Sequence, residues 1–226
     1  MSKNVVNKID EFVKVKNVLI SVSDKTGLDT FVPELIKNNP DLKIFSTGGT
    51  FSKIQEIIGS NANKNLIQVS DYTGQPETQG GLVKTLDFRI YLGLLTETYN
   101  KAHIDDINRT GSEIIDMVVV NLYPFKETIA KKGVTVEDAR GNIDIGGPTM
   151  IRAAAKNFIR VTSVVNPEDY QMIVDELNKN SGKLSLELRF NMAKRAFEHT
   201  AKYDRSIADF LSETTFENVN KCYDKG

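Results

Sequence analysis

Cysteine is nearly absent from this sequence, and its absence excludes two kinds of stabilising site. Cys222 is the single cysteine among 226 residues. A lone cysteine cannot form a disulfide within the chain, and it cannot build a zinc site from several thiolates. The scarcity of cysteine fits a reducing compartment, so we expect a cytoplasmic protein.

The chain also lacks an excess of charge of either sign and any long apolar run. It has 29 Lys and Arg residues against 30 Asp and Glu residues, a formal net charge of −1. This balance gives no global field to hold nucleic acid or an anionic lipid surface, so an anionic ligand has to be bound locally. No apolar run approaches the roughly 20 residues that cross a bilayer, and the first fifteen residues lack the apolar centre of a secretory signal. We therefore expect no nucleic-acid partner and no membrane.

Histidine is scarce as well, with only His103 and His199 in the chain. Neither has a second ligand at the spacing of a metal site, so a structural role is the default for both. So few histidines also leave no Ser-His-Asp triad to propose. We expect no metal and no cofactor.

Buried strands and amphipathic helices alternate along the chain. Short apolar runs rich in β-branched residues predict five strands, at Val18–Ile20, Leu42–Phe45, Leu66–Val69, Met117–Val120 and Val161–Val165. Helical patterns separate the early strands, which is typical of parallel strands joined by crossover helices. We therefore predict an α/β fold with a doubly wound, mostly parallel sheet.

Several helices can be placed from their sequence signals. Apolar residues from Leu28 to Ile36 predict a helix in which Pro33 belongs to the first turn, and Phe51 to Ile58 predict another. Asn166-Pro167 predicts a capped helix start, and the pattern from Ser185 to Leu211 predicts one long helix or two packed ones. We expect one compact domain at 17–211 with a C-terminal helical extension, a polar N-terminal extension at 1–16 and a polar tail at 212–226. Both ends should fray.

Polar, glycine-containing loops follow the first two strands and open helices. In parallel sheets the ligand site lies beyond the carboxyl ends of the strands. Hydroxyls, a lysine and the N-terminus of a helix together favour an anion. Either loop alone is more often an ordinary turn, but two at the same topological position indicate a phosphate ester. The candidates are Ser23, Asp24 and Lys25 after the first strand, and Thr47, Gly48, Gly49 and Thr50 after the second.

Four later segments supply further candidates, each with a structural alternative. Lys84 in the long polar loop 70–85 is either a ligand or a surface lysine, and Tyr123 before Pro124 is either a site hydroxyl or a core aromatic. Asp144 precedes a glycine pair, so it either caps a helix or acts in a site. Lys156 lies one helical turn beyond Arg152, so the two either share an anionic ligand or form a solvated basic face.

Taken in order, SVSDKTG, STGGT, VSDYTG, VKTL, VVVNLYPF, NIDIGGPT and RAAAKN resemble the IMP cyclohydrolase domain of the bifunctional purine-biosynthesis enzyme. The resemblance extends from about residue 17 to residue 211. It implies a methylglyoxal-synthase-like fold, a homodimer, and closure of the purine ring of 5-formamidoimidazole-4-carboxamide ribotide to inosine monophosphate with loss of water. It implies catalytic roles for Lys84, Tyr123, Asp144 and Lys156, and substrate-binding roles for Ser23, Asp24, Lys25, Thr47, Gly48, Gly49, Thr50, Thr85, Val120, Asn121 and Ile145.

The chemistry of this ring closure explains the residue types. The carboxamide nitrogen is a poor nucleophile, so a carboxylate such as Asp144 has to accept or orient its N–H. Attack on the formyl carbon places negative charge on the formyl oxygen, which Lys84, Lys156 and Tyr123 can stabilise by hydrogen bonds. A preorganised donor of this kind contributes about 3 kcal/mol.

The chain departs from the family pattern in three places. Leu82 stands where the family usually has an arginine, Asp87-Phe88 replaces His-Pro, and Tyr91–Leu94 replaces a His-x-Gly-Gly stretch. An apolar side chain cannot replace the paired donors of a guanidinium, so phosphate affinity or substrate orientation could suffer. The family's formyltransferase domain is absent, so we expect no formyl transfer and consider a separate formyltransferase as a partner. One alternative is a nucleotide-binding or regulatory module with impaired catalysis, and a weaker one is a phosphate-eliminating lyase of the same fold.

Overall fold

The computed structural model describes residues 5–76, 78 and 83–226. Within these residues a parallel sheet has the strand order β4-β3-β2-β5-β6, and β1 and β7 pair separately in an antiparallel ribbon. All five predicted strands are confirmed. The strands are β1 (Phe12–Lys14), β2 (Asn17–Val22), β3 (Lys43–Ser46), β4 (Leu66–Gln68), β5 (Met117–Asn121), β6 (Thr162–Val164) and β7 (Lys183–Ser185).

Helices cover both faces of the sheet, which confirms the doubly wound arrangement. The described helices are α1 (Leu28–Asn38), α2 (Gly48–Ile58), α3 (Ala62–Asn65), α4 (Val69–Thr73), α5 (Phe88–Leu95), α6 (Lys101–Thr110), α7 (Phe125–Ile129), α8 (Val136–Gly141), α9 (Gly146–Lys156), α10 (Tyr170–Lys179), α11 (Leu186–Glu213) and α12 (Phe216–Asn220). One apolar cluster joins α1, α2 and α10 to the first face of the sheet. A second cluster joins α5, α9 and α11 to the opposite face.

The strand order places a switch point in the middle of the sheet. From β2 the chain winds outward through β3 to β4, then returns to the other side of β2 with β5 and continues to β6. Crossovers on opposite sides leave a crevice at the carboxyl ends of β2 and β5, where open α/β sheets bind their ligands. The residues that follow β2, β3 and β5 therefore meet at one edge.

Two helix starts differ from the sequence prediction. Helix α1 begins at Leu28, so Pro33 lies inside it and not in its first turn. Proline supplies no N–H to the carbonyl four residues earlier, but burial of Phe31, Val32 and Leu35 on the core side outweighs this loss. Helix α9 begins at Gly146, two residues before Pro148, whereas proline favours the first helical position.

The C-terminal pattern forms one helix. Helix α11 runs for 28 residues, and the Ser185 hydroxyl caps its start by accepting the N–H of Leu188. Near its start, the fully buried guanidinium of Arg189 donates to the backbone carbonyls of Asp10 and Glu11. The first residues are therefore not all frayed, because these bonds and the β1 pairing hold residues 10–14.

Within the described residues we find no helix that combines the length and the apolar character needed to span a bilayer.

Candidate active site

A cavity of about 350 Å³ opens at the carboxyl ends of the central strands. It is lined by segments from six parts of the chain: Ser21–Ser23 with Lys25, Thr47–Thr50, Val83–Leu86, Val120, Asn121 and Tyr123, Gly141 with Ile143, and Asp144–Gly147 with Met150. Thirteen of the fifteen predicted site residues lie in this lining, and Asp24 and Lys156 do not. Among its described lining residues the charged ones are Lys25, Lys84 and Asp144.

One part of the cavity combines a helix N-terminus with two lysines, a setting that favours an anion. The N-terminus of α2 lies there at Gly48 and Gly49, and Gly48 has the positive φ of 48° that favours glycine. A Cβ on Gly48 would lie 3.4 Å from the Nζ atom of Lys84, and a Cβ on Gly49 would lie 3.9 Å from Cε of Lys25. Two ammonium groups thus flank the positive end of a helix dipole.

Hydroxyls fasten the two anion loops to each other. Thr50 accepts the N–H of Val22 at 3.1 Å and donates to the carbonyl of the same residue at 3.0 Å. The hydroxyls of Ser21 and Thr47 lie 3.3 Å apart. Because Thr50 is buried and both its hydrogen bonds go to backbone, it holds the loop after β2 against α2.

Asn121 holds the other side of the first loop. Its Oδ1 accepts the backbone N–H groups of Ser23 at 2.7 Å and Asp24 at 2.9 Å, and its Nδ2 donates to the carbonyl of Asp24 at 2.8 Å. One side-chain amide at the end of β5 therefore fixes the backbone at the end of β2. Asn121 shapes the anion loop through these bonds.

The cavity is also lined by Asp144, which carries a carboxylate. Its Oδ1 accepts the N–H of Gly147 at 2.8 Å in the first turn of α9. Burial raises the pKa of Asp144 above its usual value, and the bond from Gly147 opposes this rise. The carboxylate is half-buried at the N-terminus of a helix, where it can both cap the helix and face a ligand.

Glycines allow this carboxylate loop to pack closely. A Cβ on Gly147 would lie 2.6 Å from Oδ2 of Asp144 and 2.5 Å from Cδ2 of Leu122. A Cβ on Gly146 would lie 2.6 Å from the hydroxyl of Thr85. The buried Thr85 therefore meets the start of α9 directly, which brings the loop containing Lys84 and the loop containing Asp144 together.

Tyr123 and Ile145 form exposed parts of the lining. Tyr123 is 55% exposed and Ile145 is 59% exposed, although both have large apolar side chains. Tyr123 is therefore not a core aromatic, and its hydroxyl can reach a ligand in the cavity. Val120 of β5 is buried and also lines the cavity.

Two predicted site residues lie elsewhere in this chain. The carboxylate of Asp24 turns away to accept the N–H and hydroxyl of Thr26, which lower its pKa. Lys156 is exposed at the last residue of α9, about 15 Å along the helix axis from Gly146 at the cavity. Next to it in the fold, the guanidinium of Arg152 lies over the ring of Phe197.

The departures from the family pattern have separate structural settings. Leu82 lies outside the described residues. Asp87 caps α5 by accepting the N–H of Arg89 at 2.7 Å, and its other oxygen accepts from Gln75 at 2.7 Å. Gly93 lies so close to the backbone of Glu113 that a Cβ would be 2.3 Å from its carbonyl oxygen, which leaves no room for a side chain.

Two tyrosines beside Asp144 were not identified from the sequence. The Tyr203 hydroxyl, from α11, accepts the N–H of Asp144 at 2.7 Å. Burial raises the pKa of Tyr91 to about 12. The Thr149 side chain opposes this rise, and the charge of Asp144 adds to it. Tyr203 is part of the apolar stripe of a helix in sequence, so only the fold reveals its polar contact.

No group of three or more His, Cys, Asp or Glu side chains suited to a metal ion occurs in the described part of the chain. His103 lies beside Glu97 at the start of α6 and His199 lies within α11, both outside the cavity lining.

Comparisons with known proteins agree with this geometry. Residues 27–149 match the family model of the MGS-like domain, and residues 154–225 match that of the AICARFT/IMPCHase bienzyme. The bifunctional purine biosynthesis protein PurH of Ruminiclostridium cellulolyticum is 46% identical over 88% of this chain and 37% of that protein. PurH of Thermoanaerobacter sp. is 48% identical over 87% of this chain and 37% of that protein. The crystal structure of ForH aligns with a TM-score of 0.71 at 27% identity and covers 87% of this chain and 99% of that chain.

The fold and the cavity define an α/β protein with a cavity at the switch point of a parallel sheet. The MGS-like model covers more than half of the chain, so the chain belongs to the MGS-like family, and its C-terminal part matches the AICARFT/IMPCHase bienzyme family. The family resemblance drawn from the motifs is confirmed. The chain spans 37% of the length of the PurH relatives named above.

Proposed function

We propose that this chain is an IMP cyclohydrolase, which closes the ring of 5-formamidoimidazole-4-carboxamide ribotide to inosine monophosphate and releases water. The observation that carries the proposal is the shared cavity, in which two cations flank the N-terminus of α2 and Asp144 lies at the N-terminus of α9. The PurH relatives, described as bifunctional purine biosynthesis proteins, support the same reading.

The ribotide phosphate binds at the anion end in this proposal. Backbone N–H groups at Gly48 and Gly49 and the ammonium groups of Lys25 and Lys84 provide donors and positive charge there. The chain as a whole has a net charge of −1 and cannot attract an anion from a distance. The phosphate dianion therefore has to be bound by these local groups.

The carboxamide and the formyl group then lie toward Asp144. Its carboxylate accepts an N–H of the carboxamide as the nitrogen attacks the formyl carbon, forming the C–N bond of the ring. The former formyl oxygen gains negative charge, which the Tyr123 hydroxyl and a lysine ammonium stabilise. One proton from the carboxamide nitrogen and one from the formamide nitrogen are transferred in total to this oxygen, the C–O bond breaks to release water, and the C=N bond that forms to the former formamide nitrogen completes the aromatic ring.

A turnover assay tests the proposal. The purified chain is incubated with the formylated ribotide, and formation of inosine monophosphate is followed against the uncatalysed rate. We expect turnover in the wild type and its loss in Asp144→Asn and Lys84→Ala. Lys53→Ala, which removes a surface lysine paired with Glu56, is the matched control and should keep full activity. Absence of wild-type turnover above background contradicts the proposal.

A catalytically impaired nucleotide-binding or regulatory module is the second candidate. The position of Lys156 outside the cavity of its own chain favours it, together with the departures at Leu82 and Tyr91. Calorimetry with inosine monophosphate separates the two candidates, because tight binding without turnover supports the module. In a cyclohydrolase, Leu82→Arg should leave turnover equal or raise it.

For the cyclohydrolase, we also propose a homodimer in which Lys156 serves the cavity of the second copy. The motif resemblance assigns Lys156 to proton transfer, and its exposed helix end cannot serve its own cavity. The surface beside it carries the half-exposed rings of Phe190 and Phe197, which a second copy could cover. A separate formyltransferase remains a predicted partner that supplies the substrate.

Subunit complementation tests this arrangement. Lys156→Ala and Asp144→Asn should each be inactive alone. In a mixed dimer, one cavity regains both groups if Lys156 comes from the partner, so refolding an equal mixture should restore about a quarter of wild-type activity. No recovery, with mixed dimers shown by native mass spectrometry, contradicts the arrangement.

A further inference from the structure

Tyr203 connects the C-terminal helix to the loop that carries Asp144. The hydroxyl accepts the backbone N–H of Asp144 at 2.7 Å, and it lies 3.4 Å from the carbonyl oxygen of Asn142, to which it donates. Its ring is 9% exposed and packs edge-on against Phe125, with centroids 6.3 Å apart. A single buried hydroxyl therefore bridges both arms of the turn before α9.

We propose that Tyr203 is a positioning residue for the Asp144 carboxylate. This inference rests on the proposed cyclohydrolase function for its kinetic consequence, but its structural consequence can be measured without turnover.

The backbone of Asp144 and its side chain are anchored separately. The bond from Gly147 fixes the carboxylate, and the bond to Tyr203 fixes the N–H of the same residue. A Cβ on Gly147 would lie 2.6 Å from Oδ2 of Asp144, so the carboxylate packs closely against the backbone of Gly147. A shift of the loop therefore changes the contact between this carboxylate and the backbone. Removing the Tyr203 hydroxyl frees the backbone N–H of Asp144. The carboxylate keeps its bond from Gly147, but its orientation is then less tightly fixed.

The contact also joins the two matched segments of the chain. Asp144 belongs to the segment that matches the MGS-like domain, and Tyr203 belongs to the segment that matches the AICARFT/IMPCHase bienzyme. They are 59 residues apart in sequence. A side chain of α11 therefore holds a loop of the MGS-like part that lines the cavity.

Tyr72 provides a matched control. Its hydroxyl accepts the backbone N–H of Glu113 at 2.7 Å, the same bond that Tyr203 makes with Asp144, and its ring packs against Phe45. Neither Tyr72 nor Glu113 lines the cavity. Replacing either tyrosine by phenylalanine removes one hydroxyl from an equivalent bond and keeps the ring.

The kinetic test compares Tyr203→Phe with Tyr72→Phe. We expect Tyr203→Phe to lower kcat about 10- to 100-fold, since small displacements of a reacting group have effects of this size, and to change KM by less than about threefold. The concentration of competent sites is counted by titration with inosine monophosphate, so partial unfolding cannot mimic the loss. Tyr72→Phe should keep kcat within about twofold. Equal kcat values for the two variants overturn the proposal.

Hydrogen exchange keeps the inference testable if the wild type proves inactive. Because the Asp144 N–H is bonded to Tyr203, Tyr203→Phe should speed amide exchange in residues 142–147 by about tenfold or more. Tyr72→Phe should leave that segment unchanged and affect Glu113. Unchanged exchange at 142–147 in Tyr203→Phe overturns the positioning role. If the wild type shows no turnover but exchange is faster in Tyr203→Phe, the positioning role stands and only the proposed cyclohydrolase function is lost.

Discussion

Replacement of Asn121 tests whether the loop after β2 is an anion site that depends on its shape. The side chain makes three hydrogen bonds to this loop, at 2.7, 2.9 and 2.8 Å. Each is worth about 1 kcal/mol net, and the two to Asp24 are worth less because they are exposed, so the total is about 2 kcal/mol. If this free energy orders the loop for the phosphate, Asn121→Ala should weaken binding of inosine monophosphate about 30-fold.

A second replacement separates shape from charge. Asn121→Asp keeps an oxygen that can accept the N–H groups of Ser23 and Asp24, but it loses the donor and adds a negative charge beside the anion site. Affinity for the monophosphate should therefore decrease from wild type through Asn121→Ala to Asn121→Asp. Inosine, which has no phosphate, should bind all three proteins equally.

Isothermal titration calorimetry with both ligands measures these affinities. Asn178→Ala is the control, since it removes a surface amide that bonds Asn38 far along the chain from the cavity loops. Equal weakening of inosine and its monophosphate would refute the reasoning, because the loop would then hold the nucleoside and not the phosphate. Wild-type affinity in Asn121→Ala would refute it as well.

Three further predictions concern packing, a buried guanidinium and pH. Gly93→Ala places a Cβ 2.3 Å from the carbonyl of Glu113 and should destabilise the fold by about 2 kcal/mol in urea unfolding, whereas Gly141→Ala, with nothing within 4 Å, should change it little; equal midpoints contradict this. Arg160→Met should cost about 3–5 kcal/mol, because it removes the cation beside the buried Asp116 carboxylate and leaves its Oδ1 and several backbone carbonyls without their donor; a loss below about 1 kcal/mol argues against it. Burial raises the pKa of Asp144, and the proposed mechanism needs its charged form. Activity should therefore be lost as the pH falls through a value above about 4, the usual pKa of an aspartate. Loss of activity only at or below that pH contradicts the role of this carboxylate as the proton acceptor.

The sheet could be predicted from sequence because its signals are local. Each strand is a short run of buried β-branched residues, and both glycine loops follow such runs directly. The rule that ligands bind at the carboxyl ends of parallel strands then brought the loops at Lys25 and Gly48 together with Asn121. Among the thirteen predicted site residues that line the cavity, those at or after the ends of β2, β3 and β5 follow from this rule, whereas the roles of Lys84, Thr85, Asp144 and Ile145 were implied by the family resemblance.

Contacts between distant segments could not be predicted in the same way. The sequence pattern places Arg189 as a charged residue on an amphipathic helix. In the structure it is fully buried and donates to the backbone carbonyls of Leu184 and Asp10. Tyr203 reads as part of an apolar stripe, yet its hydroxyl holds Asp144. Lys156 follows the glycine pair by only nine residues in sequence, but a helix carries it to the far end of its axis. Each outcome depends on how whole helices pack, which one-dimensional patterns do not contain.

The two helix N-termini at the cavity decide how a ribotide can enter it. Helices α2 and α9 both begin with a glycine pair at the cavity, and both N-termini favour negative charge. At α9 that place is already taken by the carboxylate of Asp144, which accepts the N–H of Gly147. At α2 the neighbouring side chains are the ammonium groups of Lys25 and Lys84. An added anion is therefore repelled near the N-terminus of α9 and attracted near that of α2, which supports the proposed orientation, with the ribotide phosphate at Gly48 and the reacting groups at Asp144.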